Sequence, residues 1–446
     1  MEMTHARILT DLAKRWPEHQ IGPSLGRIEA LMELLGDPQR CAPVIAIAGT
    51  NGKGSTAIMI DALLRAQGLR TGRYTSPHLS DPRERIAIDG RPVSEDDFDR
   101  IYQQILPFVE LVDGQAIDGI AMTAFELLTG LAFAAFADAP IDVMVIETGM
   151  GGTWDATNVA DAQVAVITPI GLDHMDYLGD TIEDIANEKA GIIKADSVLV
   201  VAGQEPAVAR VLLERASSLG IAVIREGIDF ALLDRQVAVG GQLLRLDSAG
   251  GPLGDVFLPL HGAAMAHNAV LAVAAVEALE GGRGLDPAII ETGLADVEAP
   301  ARLERLRSTP PIVVDSCHNP PAVQATLDGV EEAFAFAPLI AIWGMMADKQ
   351  IDEVLALLNG RVSYLVATSA QTPRALSPDQ LGRRAELLLD DTTVFVAPDL
   401  PTAIDQAVAL ADETGGAAGI MVGGSVALAG EARTLLAAGA DQPNVQ

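Results

Sequence analysis

The sequence predicts an α/β protein with two sheet-centred domains. Three observations carry that expectation. Apolar runs of strand length alternate with helix-forming segments along most of the chain. A glycine-rich turn, Gly49-Thr50-Asn51-Gly52-Lys53-Gly54-Ser55-Thr56, joins one such run to a helix. The chain has 446 residues, 49% of them hydrophobic, which is too long for one core and apolar enough to fill two.

Taken in order, residues 27–35 form an amphipathic segment closed by Gly36-Asp37-Pro38, which predicts a helix leading into the first strand. Residues 44–48, between Pro43 and Gly49, read as a buried strand, and 57–65 as the helix after the glycine turn. A short strand at 71–75 ends at Ser76-Pro77-His78-Leu79. Ser94-Glu95-Asp96-Asp97 reads as a helix N-cap followed by acids in the first turn. Residues 122–137 predict a long apolar helix holding a single acid, Glu126. Strands follow at 141–147, ending in Glu147-Thr148-Gly149-Met150-Gly151-Gly152, and at 163–168, running on to Asp173-His174. A helix is expected around 185–194. This alternation predicts a doubly wound, mostly parallel sheet.

Residues 228–260 break the rhythm. Segments at 230–233, 236–239 and 242–246 predict a small antiparallel β subdomain. A helix at 266–279 closes a first domain expected to span 1–298. A second alternation, with strands at 312–315, 339–343, 362–368, 394–397 and 419–422 and a helix after Pro320, predicts a smaller C-terminal, Rossmann-like α/β domain over 299–446.

Composition excludes several classes. A net charge of −31 argues against nucleic acid or an anionic membrane as partner. Two cysteines, Cys41 and Cys317, imply neither a disulfide framework nor a cysteine-based zinc site. No apolar run reaches membrane-span length, and residues 1–14 carry charges throughout, without the core of a signal peptide. A cytoplasmic protein acting on small molecules, as a monomer, is the expectation. Of 30 basic residues only Lys14, Lys53, Lys189, Lys194 and Lys349 are lysines. In a chain that avoids lysine, interior ones invite the question of what arginine could not do there. Lys14, Lys194 and Lys349 fit chance retention as well as any role.

Strand, glycine turn and helix form a cradle for phosphates, because backbone N–H groups converge on an anion at the helix N-terminus. Lys53 would reach the outer phosphates, and Ser55 or Thr56 would hold Mg²⁺. The spacing departs from the common GxxxxGK[ST] form, since Gly54 separates Lys53 from the hydroxyls, and an ordinary glycine-rich βα turn is the competing reading. Ligands of open parallel sheets bind at the carboxyl ends of the strands. Ser76, Glu147, Asp173 and His174 fall there, and a hydroxyl, a carboxylate and an imidazole beside a polyphosphate suggest metal sites. A strand-end histidine that is merely hydrogen-bonded, and a Glu147 that caps the following turn, fit the same pattern.

The ordered set Gly49-Thr50-Asn51-Gly52-Lys53-Gly54-Ser55, Ser76-Pro77-His78, Glu147-Thr148-Gly149 with Gly151-Gly152 and Asp155-Ala156-Thr157-Asn158, Asp173-His174, and Glu188-Lys189-Ala190-Gly191-Ile192 resembles folylpolyglutamate and dihydrofolate synthases of the Mur ligase family. The likeness continues through His267-Asn268, Arg302-Leu303-Glu304, Asp315, His318-Asn319-Pro320 and Gly424-Ser425, across both domains. The resemblance implies an ATP-dependent amide ligase that phosphorylates a folate-type carboxylate (dihydropteroate, reduced folate, or both) and joins L-glutamate to the acyl phosphate. It implies ATP held by residues 49–56, Asn268, Arg302 and Asp315. It implies two Mg²⁺ ions held by Ser55, Ser76, Glu147, His174 and a carbamylated Lys189. It assigns catalysis to Lys53, Lys189 and His318, and substrate contacts to Asp155, His318 and Ser425. For His318 and Ser425, a strand-end cap and a turn serine are the plain alternatives.

Three departures bear on the acceptor. Thr153 stands where the family usually has arginine, Ala264-Met265 where it often has His-Gln, and Ser316-Cys317 where it has a small pair. A related Mur-type ligase with another carboxylate acceptor is the second reading. Cell-wall members carry a further domain before the glycine turn, and residues 1–48 are too few for one. A nucleotide-binding regulator without chemistry would have lost Lys53, Glu147, His174 or Lys189, and all four are present.

Overall fold

The computed structural model describes residues 3–15, 22–414 and 416–440. Met1 and Glu2, the first two residues of the charged stretch 1–14, and the last residues of the expected 299–446 domain lie outside those residues. The chain divides into two compact units. The first is Met1–Arg235, Leu243–Leu258 and Ala266–Val297, and the second is Gln236–Gln242, Pro259–Met265 and Glu298–Gln446.

The first unit is built on an eight-stranded sheet. Its strands are β1 (Val44–Ala48), β2 (Thr71–Tyr74), β3 (Ile86–Ile88), β4 (Arg91–Pro92), β5 (Val143–Glu147), β6 (Val164–Ile167), β7 (Val198–Val201) and β8 (Val223–Arg225). They lie in the order β4-β3-β2-β5-β1-β6-β7-β8. β2 to β8 across that order are parallel, and β3 and β4 form an antiparallel edge. β1 therefore runs between β5 and β6, and the carboxyl ends of β2, β5, β1 and β6 stand side by side. Met144 and Ile146 face the core shared with helices Gly26–Leu35, Glu95–Gln115 and Ala124–Asp138. The helix Lys53–Ala66 packs against β2 and β5 and also meets helix Pro287–Ala295. That last contact is tight because Gly293 is there: a Cβ on it would lie 3.0 Å from Leu63 Cα.

The single acid of the apolar helix has a structural explanation. Glu126 closes a capping box with Thr123 and accepts Arg27 Nε at 3.0 and 3.1 Å, a buried pair that fastens Gly26–Leu35 onto Ala124–Asp138.

Residues 228–260 form three antiparallel strands in the order β11-β10-β9: β9 (Ala231–Ala238), β10 (Gly241–Ser248) and β11 (Gly251–Leu258). The segments at 230–233 and 236–239, expected to be separate, are one strand, and β11 was not legible at all. Asp234-Arg235 interrupts the apolar pattern of β9, and Gly251-Pro252-Leu253-Gly254 lacks strand formers. The helix expected around 185–194 is Ile182–Lys189, started by a Thr181–Asp184 capping box and followed by one 3-10 turn. It therefore ends at Lys189.

The second unit holds a six-stranded sheet. Its strands are β12 (Glu304–Ser308), β13 (Pro311–Val314), β14 (Leu339–Trp343), β15 (Tyr364–Ala367), β16 (Thr393–Val396) and β17 (Gly419–Gly423). The order is β12-β13-β17-β14-β15-β16, with only β12 antiparallel. Helices Pro320–Phe334, Ile351–Leu358 and Pro378–Leu388 contribute to one apolar core against it.

Truncating Glu126 leaves the buried Arg27 guanidinium with only Gly22 O and the exposed Asp118 carboxylate, 3.4 Å from Nη1, as partners. Glu126→Ala should cost about 3 kcal/mol. Thermal unfolding should show this as a midpoint lowered by roughly 6–12 °C, and an unchanged midpoint would refute the pinning role.

Candidate active site

The glycine turn is held by its neighbours on either side. Gly49 has φ 145°, and a Cβ on it would lie 1.9 Å from Thr168 Oγ1 and 3.0 Å from Thr168 O, just past β6. Gly52 has φ 88° and caps helix Lys53–Ala66; a Cβ there would lie 2.6 Å from Asn268 Oδ1. Both positions need glycine for conformation and for space. Between them, Thr50 N donates to Pro169 O at 3.0 Å, and Asn51 N to the same oxygen at 3.4 Å. Thr50 Oγ1 exchanges hydrogen bonds with Gly171 O and N, both at 3.0 Å. Lys53 Nζ lies over the turn and donates to Gly49 O and Thr50 O at 3.2 Å. Ser55 and Thr56 are buried in the first turn of the helix.

Glu147 ends β5 and is 3% exposed. Its Oε2 accepts Ser76 N at 3.0 Å, and a Cβ on Gly54 would lie 3.4 Å from the same oxygen. The first turn after the glycine loop, Ser76 and Glu147 thus form one cluster at the ends of β1, β2 and β5. His174, past β6, adopts φ 54° at the start of the short helix Met175–Leu178. Its N–H donates to Asp173 Oδ1 at 2.9 Å, and its ring Nε2 lies 3.9 Å from Asp173 Oδ2.

Lys189 is 2% exposed, so it is not a helix-surface lysine. Its Nζ donates to Met150 O at 2.8 Å. Burial, then the nearby Lys53 charge, lower its pKa to about 7, although Asp155, Asp173 and Glu188 act in the other direction.

The loop after β5 lies directly on this helix end. Glu188 Oε1 accepts Gly152 N and Trp154 N at 3.2 and 3.3 Å, and Glu188 O accepts Thr153 N at 3.0 Å. A Cβ on Gly152 would lie 2.5 Å from Glu188 O and 2.9 Å from Lys189 Cα, and one on Gly191 would lie 2.5 Å from Thr153 N. At the loop's far end Lys194 Nζ donates to Asn158 O, Ala160 O and Asp161 Oδ1 at 2.8, 2.8 and 3.0 Å. Chance retention is therefore the wrong reading of Lys194. Glu188 and Lys194 were missed as organisers; the paired glycines at 151–152 with Gly191 were the signal for backbone-to-backbone contact.

Asp155 organises the same loop. Its Oδ2 accepts Gly149 N and Met150 N at 2.9 and 3.1 Å, and its Oδ1 accepts Thr157 N and Oγ1 at 3.0 and 2.6 Å. With both oxygens engaged, it positions the loop.

In the second unit, Asp315 accepts Leu303 N, Cys317 N and Thr326 Oγ1 at 2.9, 2.8 and 3.1 Å. Arg302 Nη1 donates to Ser316 Oγ. His318 Nδ1 meets Ser316 O at 3.0 Å, which makes that nitrogen the donor. Gly424 N donates to Cys317 O at 3.1 Å, so residues 315–318 and 424–425 are neighbours at the ends of β13 and β17. Ser425 Oγ accepts Leu428 N at 3.2 Å, in the first turn of helix Val426–Ala440.

Family comparison agrees with this architecture. Residues 111–276 match the Mur ligase middle domain and 301–426 the Mur ligase glutamate ligase domain. A dihydrofolate synthase/folylpolyglutamate synthase of Mycobacterium tuberculosis is 48% identical over 95% of this chain and 92% of its own. The chain belongs to the folylpolyglutamate synthase/dihydrofolate synthase family of Mur ligases. It is an ATP-dependent ligase. Among solved structures similar to this Mur ligase, the Mycobacterium tuberculosis folylpolyglutamate synthase complexed with ADP has a TM-score of 0.93, 48% identity, and covers 97% of this chain and 98% of its own. Escherichia coli FolC in complex with DHPP and ADP has a TM-score of 0.85 at 29% identity, covering 98% and 99%.

Gly152→Ala in this ligase should push the loop off Glu188 and Lys189. The expected loss of stability is about 1–3 kcal/mol, with kcat reduced roughly 10- to 100-fold through displaced groups. Steady-state kinetics of the folded variant give the check, and a wild-type kcat would show that the close approach is dispensable.

Proposed function

We propose that this ligase adds L-glutamate to both dihydropteroate and reduced folate through an acyl phosphate. Residues 1–298 would serve the nucleotide and acceptor, and 299–446 the incoming glutamate. The observation that carries the proposal is the cluster of Glu147, Ser76 and the first turn after the glycine loop, with Lys189 buried and bonded to Met150 O in the loop that follows Glu147.

In the first step a carboxylate oxygen of the acceptor attacks the γ-phosphorus. An O–P bond forms, the bond to the β-phosphate oxygen breaks, and ADP leaves. Such transfers need alignment and charge neutralisation more than covalent help. Within residues 49–56, the N–H groups at the helix start, residues 52–55, and the Lys53 ammonium would hold the phosphates, because the Thr50 and Asn51 amides are taken by Pro169 O. Asn268 supports a nucleotide contact: it is buried beside Gly52, and its Nδ2 has no hydrogen-bond partner. Arg302 and Asp315 would act on the ATP side, Asp315 by shaping its loop. In the second step the glutamate nitrogen attacks the acyl carbon. The C–N bond forms, the C–O bond breaks, phosphate leaves, and the nitrogen sheds a proton. With Nδ1–H given to Ser316 O, Nε2 is the basic nitrogen of His318 and suits that proton. Ser425 would help hold the amino acid, and Asp155 would act on the substrate through its loop.

The donor set suits Mg²⁺: a buried carboxylate at Glu147, hydroxyls at Ser55 and Ser76, and His174 as the softer member. When bound, the ions would supply positive charge to the phosphates. Lys189 would join the set as a carbamate. Its neutral amine adds to CO₂, forming an N–C bond and releasing a proton to solvent. With a pKa of about 7, roughly 70% of the amine is neutral at about pH 7.4. An unburied lysine would be neutral in about one molecule per thousand.

Phosphate release from ATP and glutamate should be stimulated by dihydropteroate and by tetrahydrofolate, each tested alone. Stimulation by neither would remove the folate acceptor while leaving the ligase. Lys189→Ala should be nearly inactive and Lys189→Arg no better, with acetate partly restoring the alanine variant. A fully active arginine variant, or mass spectrometry and metal-bound crystals showing an unmodified amine, would rule out the carbamate.

A further inference from the structure

Two adjacent residues of helix Ala263–Leu279 meet different surroundings. Asn268 is buried, with Oδ1 against Gly52 and Nδ2 without a partner. His267 is exposed on one side and closes on Glu226 with the other, Nδ1 to Oε1 at 2.5 Å. Glu226 follows β8, and its Oε2 accepts Gly203 N, past β7, at 2.8 Å. The connection continues inward. Gln204 Nε2 donates to Thr168 O, and its Oε1 accepts Ile170 N, both at 3.0 Å. Pro169 O and Gly171 in turn hold Thr50 of the glycine loop. A continuous polar chain thus runs from Thr50 to His267. Its two ends are the loop and the helix turn that touch again where Gly52 meets Asn268.

We propose that His267 and Glu226 form a protonation-dependent clamp that positions Asn268, so that nucleotide binds more tightly while the pair is charged. The clamp rests on the reading of Asn268 as a nucleotide contact. His267 and Glu226 are positioning residues that act through the backbone of the helix and of the strand ends. The ring nitrogen tied to Glu226 is fixed as the donor, which also fixes the imidazole plane.

Among the described residues, two charged groups act on His267. The Glu226 carboxylate, from the loop after β8, holds the imidazolium above its ordinary range, and Arg235, from β9, opposes it together with partial burial. Glu226 is itself held below the usual carboxylate range, mainly by the bond to His267 acting against its own burial. On its own helix, the residues that precede His267, Ala263, Ala264, Met265 and Ala266, carry no charge. The clamp is complete from above the carboxylate's ordinary pKa to below the imidazole's. It weakens as pH rises through the raised value of His267.

The test is ADP binding by calorimetry on the full chain, from about pH 6 to about pH 9. Wild type, His267→Gln, Glu226→Gln and the double variant are compared, with Asn268→Ala as a separate control. The ratio of wild-type to His267→Gln affinity at each pH cancels titration of the nucleotide's own phosphates and of Lys189. That ratio should be about three- to tenfold at the acid end and fall to near one at the alkaline end. Glu226→Gln should lose the same dependence, and the double variant should be no worse than either single one. A pH-independent ratio, or additive losses in the double variant, would overturn the clamp. Unchanged affinity in Asn268→Ala would instead overturn the nucleotide reading of Asn268, whatever the pH profile of the pair.

Discussion

The site depends on a contact between two backbones. Gly152 and Gly191 let the loop after β5 lie on the end of helix Ile182–Lys189 at a distance no side chain permits. That approach brings Glu188 to the N–H groups of Gly152 and Trp154, and Lys189 to the carbonyl of Met150. Asp155 then ties residues 149–150 to the turn at 157, and Lys194 closes the far end on Asn158 and Ala160. The result buries an amine beside Glu147's strand end without pairing it to a carboxylate. Burial lowers a lysine pKa and the nearby Lys53 charge adds to it, whereas an ion pair would raise it. Loop packing supplies the burial, which is the larger of the two causes that lower the Lys189 pKa.

The glycine loop has a second support. Its conformation is fixed less by its own helix than by the segment past β6, which receives Thr50 through three hydrogen bonds and fills the space beside Gly49. β1 lies between β5 and β6, so the loop is held on both flanks: by Glu147 beside Gly54 and by residues 168–171. The strand order thus determines which side chains can meet. A chain of net charge −31 would otherwise repel a polyphosphate, and it concentrates oriented amides and two of its five lysines at this one place.

Much of this was legible in the sequence because it obeys local rules. Apolar runs marked the central strands, and the glycine turn marked the loop. Glycine pairs at 151–152 marked a close approach without saying to what. The illegible parts were those decided by tertiary partners. β11 contains Gly251, Pro252 and Gly254 and is a strand because β10 pairs with it. β7 and β8 are short and were lost among neighbouring helices. Asp155 and Asp315 read as ligand-facing carboxylates, yet the oxygens of Asp155 are engaged by its own loop and those of Asp315 by Leu303, Cys317 and Thr326. Sequence pattern identifies a functional loop, but cannot tell which of its acids faces inward.

The scarcity of lysine sharpens the distinction between Lys189 and Lys194. The Lys194 ammonium meets three oxygens at 2.8 to 3.0 Å, two of them backbone carbonyls. A compact tetrahedral donor fits that convergence, and a planar guanidinium directs its donors elsewhere. The carbamate proposed for Lys189 needs lysine for another reason. Arginine keeps its charge at any accessible pH, so at a buried position beside Lys53 it would remain a cation and could not become a carbamate. Two lysines in one short stretch thus resist replacement by arginine on independent grounds, one geometric and one chemical. In that proposal only the chemical one bears on the reaction; the geometric one holds the loop in place.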